Sequence, residues 1–150
     1  MKNELMRVNE RFTVYERKGV IGEQIKNSED AAFLAMKCMK NYNLDYKEYF
    51  IVIFLDSNLV PLGFEKITEG SREQAVVDIR ILLTAALCNA ANAIIVAHNH
   101  PSRKMEPSKP DDRLTGKIGR SCNDIGLRFI DHIIIDNTHR YYSYRENGKL

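Results

Sequence analysis

Two runs of consecutive β-branched and aromatic residues constrain the fold of this chain more than any other feature. They are YFIVIFLD, which begins at Tyr49, and AIIVAHNHP, which begins at Ala93. Runs of this kind are typical of strands that are buried on both faces, because a half-exposed strand would alternate apolar and polar residues. The second run stops at Pro101, which cannot donate a ladder hydrogen bond. The chain is therefore expected to fold around a covered sheet.

The remaining elements are predicted from periodicity and from helix-start and turn residues. NLVPLGFEKIT is predicted to form the hairpin partner of the first run, with the turn at Asp56–Asn58. LRFIDHIIID and RYYSYRE are expected to form two closing strands around the turn NTH, and RFTVYER a short strand near the start. Helices are expected in three segments that combine caps with apolar stripes. They are residues 27–42 with Ser28 as the cap, Ser71 to Asn89, and Ser108 to about Asp124 with a stop at Gly126.

The resulting order, β α β β α β α β β, predicts an α/β fold with a mixed sheet flanked by helices. One domain is expected over residues 27–150. Residues 1–26 are expected to form an extension that packs on the domain or is partly flexible.

Bulk composition excludes several classes of protein. The 150 residues carry a formal charge of +2 with interspersed signs, so charge does not indicate a nucleic-acid partner. No apolar run approaches the ~20 residues of a membrane helix, and no signal-peptide core is present, so a soluble cytoplasmic protein without membrane contacts is expected. Cys38, Cys88 and Cys122 form no CxxC pair and are expected to be free, buried thiols in helices.

The sequence IIVAHNHPSRKMEPSKPDD, residues 94–112, raises the question of a metal site. His98 and His100 lie two residues apart on a strand, so their side chains share a face, at the strand end where α/β sheets keep ligand sites. Asp111 is at the third position of the helix if Ser108 is its cap. Two imidazoles and one carboxylate leave one position of a zinc ion open, as catalytic zinc sites do.

Structural alternatives explain the same residues. Ser-x-x-Asp before a helix is a common capping arrangement that needs no catalysis. Two histidines and a carboxylate also match a facial-triad iron site. A zinc deaminase and the helical His-Glu-x-x-His metalloproteases are excluded because their motifs are absent. The residues alone do not decide between a metal site and a purely structural role.

The order and spacing of these residues fit the JAMM motif, which is His-x-His, seven residues, Ser, two residues and Asp. The surrounding sequence resembles the RadC branch of the JAB/MPN metalloprotease family. The segments that carry this resemblance are AHNHPS, PSKPDDRLT, FIDHIIID and YYSYRENGKL. The resemblance covers roughly residues 27–150 and implies a cytidine-deaminase-like JAB/MPN sandwich. It implies that His98, His100 and Asp111 bind Zn²⁺ and that Ser108 steadies an oxyanion. Glu48 matches the general base by position, with Glu65, Glu69 and Glu106 as competitors.

The resemblance implies a zinc-dependent peptide or isopeptide hydrolase that acts on a peptide or protein substrate. A nucleic-acid-associated repair accessory is the first alternative, and an inactive scaffold is the second. Two departures from the family are noted. Arg103 stands where glycine is usual, so a different loop path is expected, and the first 26 residues lack a helix-hairpin-helix segment. For Asp131 and His132, a polar pair at a strand end is favoured over support of the metal ligands.

Overall fold

A computed structural model describes residues 22–70 and 76–150. Eight elements follow one another along these residues, and together they confirm the α/β fold with a mixed sheet. They are α1 (Ser28–Cys38), β1 (Tyr49–Leu55), β2 (Pro61–Glu69), α2 (Ile79–Cys88), β3 (Ala93–Asn99), α3 (Lys109–Asp124), β4 (Arg128–Ile135) and β5 (Tyr141–Ser143). The strand predicted at RFTVYER lies outside the described residues.

The five strands form one sheet in the order β2-β1-β3-β4-β5. β3 and β4 pair in parallel, and the other neighbours pair antiparallel. The parallel pair requires a crossover, which α3 supplies. β1 and β3 are buried along their whole length, as their continuous apolar runs predict.

Helices cover both faces of this sheet. Alternate residues of β1, β3 and β4 pack against α1, whereas the residues between them pack against α2 and α3. His98 continues the row of β3 residues that faces α2 and α3. The site therefore lies on that face, where β3 ends and α3 begins.

Helix boundaries depart from the expected ones at both ends of α1 and at the start of α2. α1 ends at Cys38, before the predicted end at residue 42. α1 is capped by Asn27, whose Oδ1 accepts from the Asp30 N–H at 2.8 Å, and not by Ser28. The Ser28 hydroxyl instead donates to the buried Asp131 carboxylate at 2.9 Å. α2 begins at Ile79 and not at Ser71, because the Asp78 carboxylate accepts from the Arg80 N–H and so caps the helix there. Residues 71–75 lie outside the described part of the chain.

α3 follows the prediction more closely. Ser108 is its N-cap, and Asp111 completes a capping box. The helix ends at Asp124, and Gly126 adopts a φ of +70°, a left-handed conformation that glycine reaches without steric cost. Ile25, which falls in the predicted N-terminal extension, is buried in the core beside α1.

The thiols agree with the prediction at two of three positions. Cys38 and Cys122 are buried, and burial raises the thiol pKa to about 12 and about 11, so both are protonated and unreactive. Cys88 is exposed at the end of α2, where the prediction of a buried thiol is wrong. Among the described residues, no helix combines the length and the apolar character that crossing a bilayer requires.

Candidate metal centre

The three residues predicted as metal ligands converge at the end of β3 and the start of α3. One ligand atom from each of His98, His100 and Asp111 lies within 4.8 Å of the others. His98 Nε2 is 2.9 Å from His100 Nε2 and 3.3 Å from Asp111 Oδ1, and His100 Nε2 is 3.4 Å from Asp111 Oδ2. Two atoms that each bind one ion at about 2.0–2.1 Å in tetrahedral geometry lie about 3.3 Å apart. The donor set and its spacing therefore fit a divalent ion.

The loop after β3 orients the second histidine. His100 Nδ1 lies 2.5 Å from the Lys104 carbonyl oxygen, which can only accept, so Nδ1 carries the hydrogen and Nε2 faces the cluster. Arg103 takes a φ of 61° in this loop and makes an exposed ion pair with Asp45. Arg103 thus occupies the left-handed conformation that the usual glycine would allow. The expected change of loop path stays a prediction.

Asp111 takes part in the cap of α3 and also lies beside both imidazoles. Its Oδ2 accepts from the Ser108 backbone N–H at 2.7 Å and from the Ser108 hydroxyl at 2.6 Å. The Ser108 oxygen in turn accepts from the Asp111 N–H at 3.2 Å, which completes the capping box. The capping explanation and the metal-site explanation are therefore compatible, since the cap holds the carboxylate beside both imidazoles.

Electrostatics keep the carboxylate ionised and favour a cation between the imidazoles. Burial raises the pKa of Asp111, but contacts with His100, His98 and Ser108 outweigh burial, and the pKa ends well below its usual range. Burial lowers the pKa of His100, yet Asp111, the Lys104 carbonyl and Glu48 overcome that effect and the net pKa is raised above 6.5. A proton or a metal ion is thus stabilised at this position.

Glu48 lies one residue before β1 and is only 7% exposed. Phe50 pairs with His98 in the antiparallel ladder, so the same register continued by two residues brings Glu48 opposite His100, on the same face. Both residues line one cavity of about 480 Å³, within the range of small-ligand sites, together with Ser108 and Asp111.

The competing glutamates are placed differently. Glu69 is paired with Lys47 and Lys66, whose hydrogen bonds lower its pKa to about 2, so it is a poor base. Glu65 lines a separate depression beside α2. Glu106 is exposed but lines the same cavity as Glu48. Geometry reduces the four candidates to Glu48 and Glu106, and the base role of Glu48 stays a prediction.

Asn99, between the two histidines, contributes in a way that sequence reasoning missed. Its side chain lies on the opposite face and is fully buried. Its oxygen accepts from the Tyr49 N–H at 2.7 Å, and its amide donates to the carbonyls of Leu44 and Lys47 at 2.8 and 3.0 Å. Asn99 therefore fixes the backbone on both sides of Glu48. The only hint in the sequence was a polar residue within an otherwise apolar strand.

Asp131 and His132 do not form the polar pair at a strand end that was predicted. Both lie inside β4, are almost completely buried and point to opposite faces of the sheet. Asp131 accepts from Ser28, Ser143 and two backbone N–H groups on the α1 side. His132 lies behind His98 on the metal-site side, with its Nε2 2.8 Å from His98 Nδ1.

Metal binding at this site is expected to weaken as the pH falls through the pKa of His100, because an ion must displace the proton from that ring. The raised pKa of His100 places this competition at a higher pH than for an ordinary histidine, whereas Asp111 stays ionised throughout. Zn²⁺ affinity measured by chelator competition at several pH values tests this. An affinity that is constant across the range would contradict it.

Comparisons with known proteins agree with this arrangement. Residues 25–149 match the family described as RadC-like JAB domain. A UPF0758 protein of Actinobacillus pleuropneumoniae serotype 5b is 39% identical over 125 residues, which is 82% of this chain and 56% of that protein. A UPF0758 protein of Streptococcus agalactiae serotype Ia is 35% identical over 136 residues, or 91% of this chain and 57% of that protein.

The chain thus spans somewhat more than half the length of the curated relatives that it matches. The region that matches the family model, residues 25–149, includes all eight elements of the fold and so exceeds what a shared motif alone would produce. The chain therefore belongs to the family of the RadC-like JAB domain.

Proposed function

We propose that this protein is a zinc-dependent hydrolase that cleaves a peptide or isopeptide bond. The observation that carries the proposal is the cluster of His98, His100 and Asp111. His100 and Asp111 line one cavity together with Glu48 and Ser108. A divalent ion held by three protein ligands supplies a Lewis acid and lowers the pKa of a coordinated water towards ~7. Two neutral imidazoles and one carboxylate are a ligand set that zinc accepts well.

Glu48 transfers the proton in this proposal, and Ser108 stabilises the oxyanion. Glu48 takes a proton from the attacking water as the new C–O bond forms at the substrate carbonyl. It then delivers that proton to the leaving nitrogen as the C–N bond breaks, so the carboxylate is regenerated. Its burial beside His100 holds the carboxylate at the cavity wall, where it is partly shielded from bulk water.

Ser108 is placed to stabilise the negative charge that develops on the carbonyl oxygen. Its hydroxyl donates to Asp111 Oδ2 at 2.6 Å. The Ser108 backbone N–H also donates to that oxygen, so the hydroxyl is free to rotate towards an oxyanion without leaving Oδ2 unsatisfied. A donor that reaches the developing oxyanion stabilises that charge in the transition state.

Cleavage of a peptide and isopeptide library by zinc-loaded protein tests the proposal, with the metal-free protein as control. Product that appears only with zinc supports it. A broad library left intact by protein that holds its zinc would favour the inactive scaffold instead.

A nucleic-acid role is the second candidate, and one surface favours it. The exposed side of α3 carries four cations spaced at three or four residues, which places them in one stripe. They are Lys109, Arg113, Lys117 and Arg120. Asp124 continues the same stripe, and the chain as a whole has a formal charge of only +2.

We expect this stripe to bind duplex DNA weakly and without sequence preference, with a Kd no better than about 10⁻⁴–10⁻⁶ M near physiological salt. Titration of a short labelled duplex at several salt concentrations measures it. Affinity should fall steeply with salt, and Lys117→Gln with Arg120→Gln should flatten that slope. Tight, sequence-dependent binding would promote the nucleic-acid role above hydrolysis.

A further inference from the structure

A chain of buried hydrogen bonds runs from helix α3 to the metal-facing ring of His98. The Thr115 oxygen is 2.7 Å from the Asp111 carbonyl oxygen and 2.6 Å from His132 Nδ1. His132 Nε2 is 2.8 Å from His98 Nδ1. Thr115, His132 and His98 are all 2% exposed or less, so water does not supply alternative partners.

The single hydroxyl hydrogen of Thr115 fixes the direction of the first two bonds. The Asp111 carbonyl oxygen carries no hydrogen, so at 2.7 Å the Thr115 hydroxyl must donate to it. That hydrogen is then not available for His132. The Thr115 oxygen therefore accepts, and His132 Nδ1 must carry the hydrogen that bridges the 2.6 Å contact.

The hydrogen on His132 also determines where His98 carries its own hydrogen. His132 is completely buried and its ring nitrogens contact Thr115 and His98, neither of which is an acid, so a charged ring is disfavoured there. The neutral ring holds one hydrogen, which the previous bond places on Nδ1. His132 Nε2 is then an acceptor, and His98 Nδ1 must donate to it. A neutral His98 that is protonated at Nδ1 has a bare lone pair on Nε2, the atom that faces His100 and Asp111.

We propose that Thr115 and His132 are positioning residues that set the tautomer of His98, so that its Nε2 lone pair is directed at the metal. Asp111 and Thr115 lie one turn apart on α3, so the helix that supplies the carboxylate ligand also anchors this hydrogen-bond chain. Ring packing assists, because His132 stacks on Tyr144 with centroids 4.8 Å apart and an interplanar angle of 8°. The proposal rests on the metal site of the proposed function and not on hydrolysis.

Thr115→Val tests the proposal because valine keeps the shape of threonine and removes only the hydroxyl. His132 Nδ1–H would then have no acceptor, and its hydrogen would be better placed on Nε2, where it points at His98 Nδ1. His98 would have to move its own hydrogen to Nε2, which blocks the metal. Loss of such supporting partners typically weakens metal binding about 10–100-fold. Thr115→Ser keeps the hydroxyl and should bind Zn²⁺ close to wild type.

Two measurements are needed, both independent of catalysis. Zn²⁺ affinity is measured by chelator competition for wild type, Thr115→Val and Thr115→Ser. Nitrogen-15 spectra of the histidine rings in metal-free protein report which nitrogen is protonated. We expect Nδ1–H at His98 in wild type and in Thr115→Ser, and Nε2–H in Thr115→Val.

The outcomes separate this inference from the proposed function. Nε2–H at His98 in metal-free wild type would overturn the inference, as would equal Zn²⁺ affinity in all three proteins. A wild type that binds no Zn²⁺ but shows the expected tautomers would overturn the proposed function and support the hydrogen-bond chain. Reduced affinity with unchanged thermal stability in Thr115→Val supports the inference, because a packing defect would lower both.

Discussion

Replacing His98 and His100 together by alanine should abolish zinc binding, whereas the wild-type protein should hold about one zinc ion per chain. The two imidazoles supply two of the three ligand atoms within the cluster, and a carboxylate alone binds zinc weakly in water. Elemental analysis of protein purified without a chelator or a nickel column measures the content directly. Zinc added to the metal-free wild type should also raise its melting temperature, because only the folded state binds.

The chain offers a matched control for this experiment. It has four histidines, of which His139 is exposed in the last hairpin turn with a φ of 64°. His139→Asn removes an imidazole outside the site and keeps a residue that tolerates this conformation. Its zinc content should equal wild type. His100→Ala alone is a milder variant, since His98 is deeply buried and its loss leaves His132 Nε2 without a donor. Unchanged zinc in the double variant would place the metal elsewhere.

The sequence predicted what depends on local pattern. The continuous apolar runs at Tyr49 and Ala93 became the two most buried strands, and alternation along β3 correctly placed His98 and His100 on one face. The Ser108–Asp111 spacing predicted both a cap and a ligand position. The structure contains the cap, and it brings Asp111 into a cluster with His98 and His100 that could hold a metal ion. These features follow from periodicities of 2.0 and 3.6 residues, which the sequence displays directly.

The errors arose where a long-range contact decides the outcome. Ser28 is a good cap by type, but the buried Asp131 carboxylate, 103 residues away, engages its hydroxyl. His132 reaches His98 only because β3 and β4 pair in parallel with Val96 opposite His132, a register that no local pattern specifies. Asn99 reaches the carbonyls of Leu44 and Lys47 through the pairing of β1 with β3. The residues that position the site were therefore harder to predict than the ligands.

The start of helix α2 was predicted wrongly for a different reason. SREQAVVD, which precedes it, contains the run REQA of residues that favour helices, and the pattern indicated a start at Ser71. Asp78 instead caps the helix through the Arg80 N–H at 2.8 Å and holds the Arg80 guanidinium in an ion pair at 2.8 Å. A short polar side chain that bonds the backbone competes with helix continuation, so propensity alone placed the start too early.

Replacing Glu48 by glutamine should slow hydrolysis about 10²–10⁴-fold while zinc content stays at the wild-type level. Glutamine keeps the size and hydrogen-bonding reach of glutamate, but it cannot accept a proton at neutral pH. Glu48 is buried and lies opposite His100 at the edge of β1, so a change of length would disturb packing more than this isosteric replacement. Rates are compared on the same cleavable peptide or isopeptide, with zinc measured in both proteins.

Glu106→Gln is the matched control, because Glu106 lines the same cavity but is exposed. Wild-type rates in Glu106→Gln with loss in Glu48→Gln would assign the base to Glu48. The reverse pattern would assign it to Glu106, and Glu48 would then be a structural charge beside the metal. Loss of zinc together with rate in Glu48→Gln would indicate that Glu48 supports metal binding, which contradicts a role confined to proton transfer.

Ser108 is tested with two variants, because its hydroxyl both caps α3 and faces the cavity. Ser108→Ala removes the cap and typically costs about 0.5–2 kcal/mol of stability, whereas Ser108→Gly costs only a few tenths. Both remove the oxyanion donor, so both should lower the rate, by up to about 10²–10³-fold for a donor of this kind. If the rate falls in Ser108→Ala and recovers in Ser108→Gly, the hydroxyl acts through the helix cap and the oxyanion role is wrong.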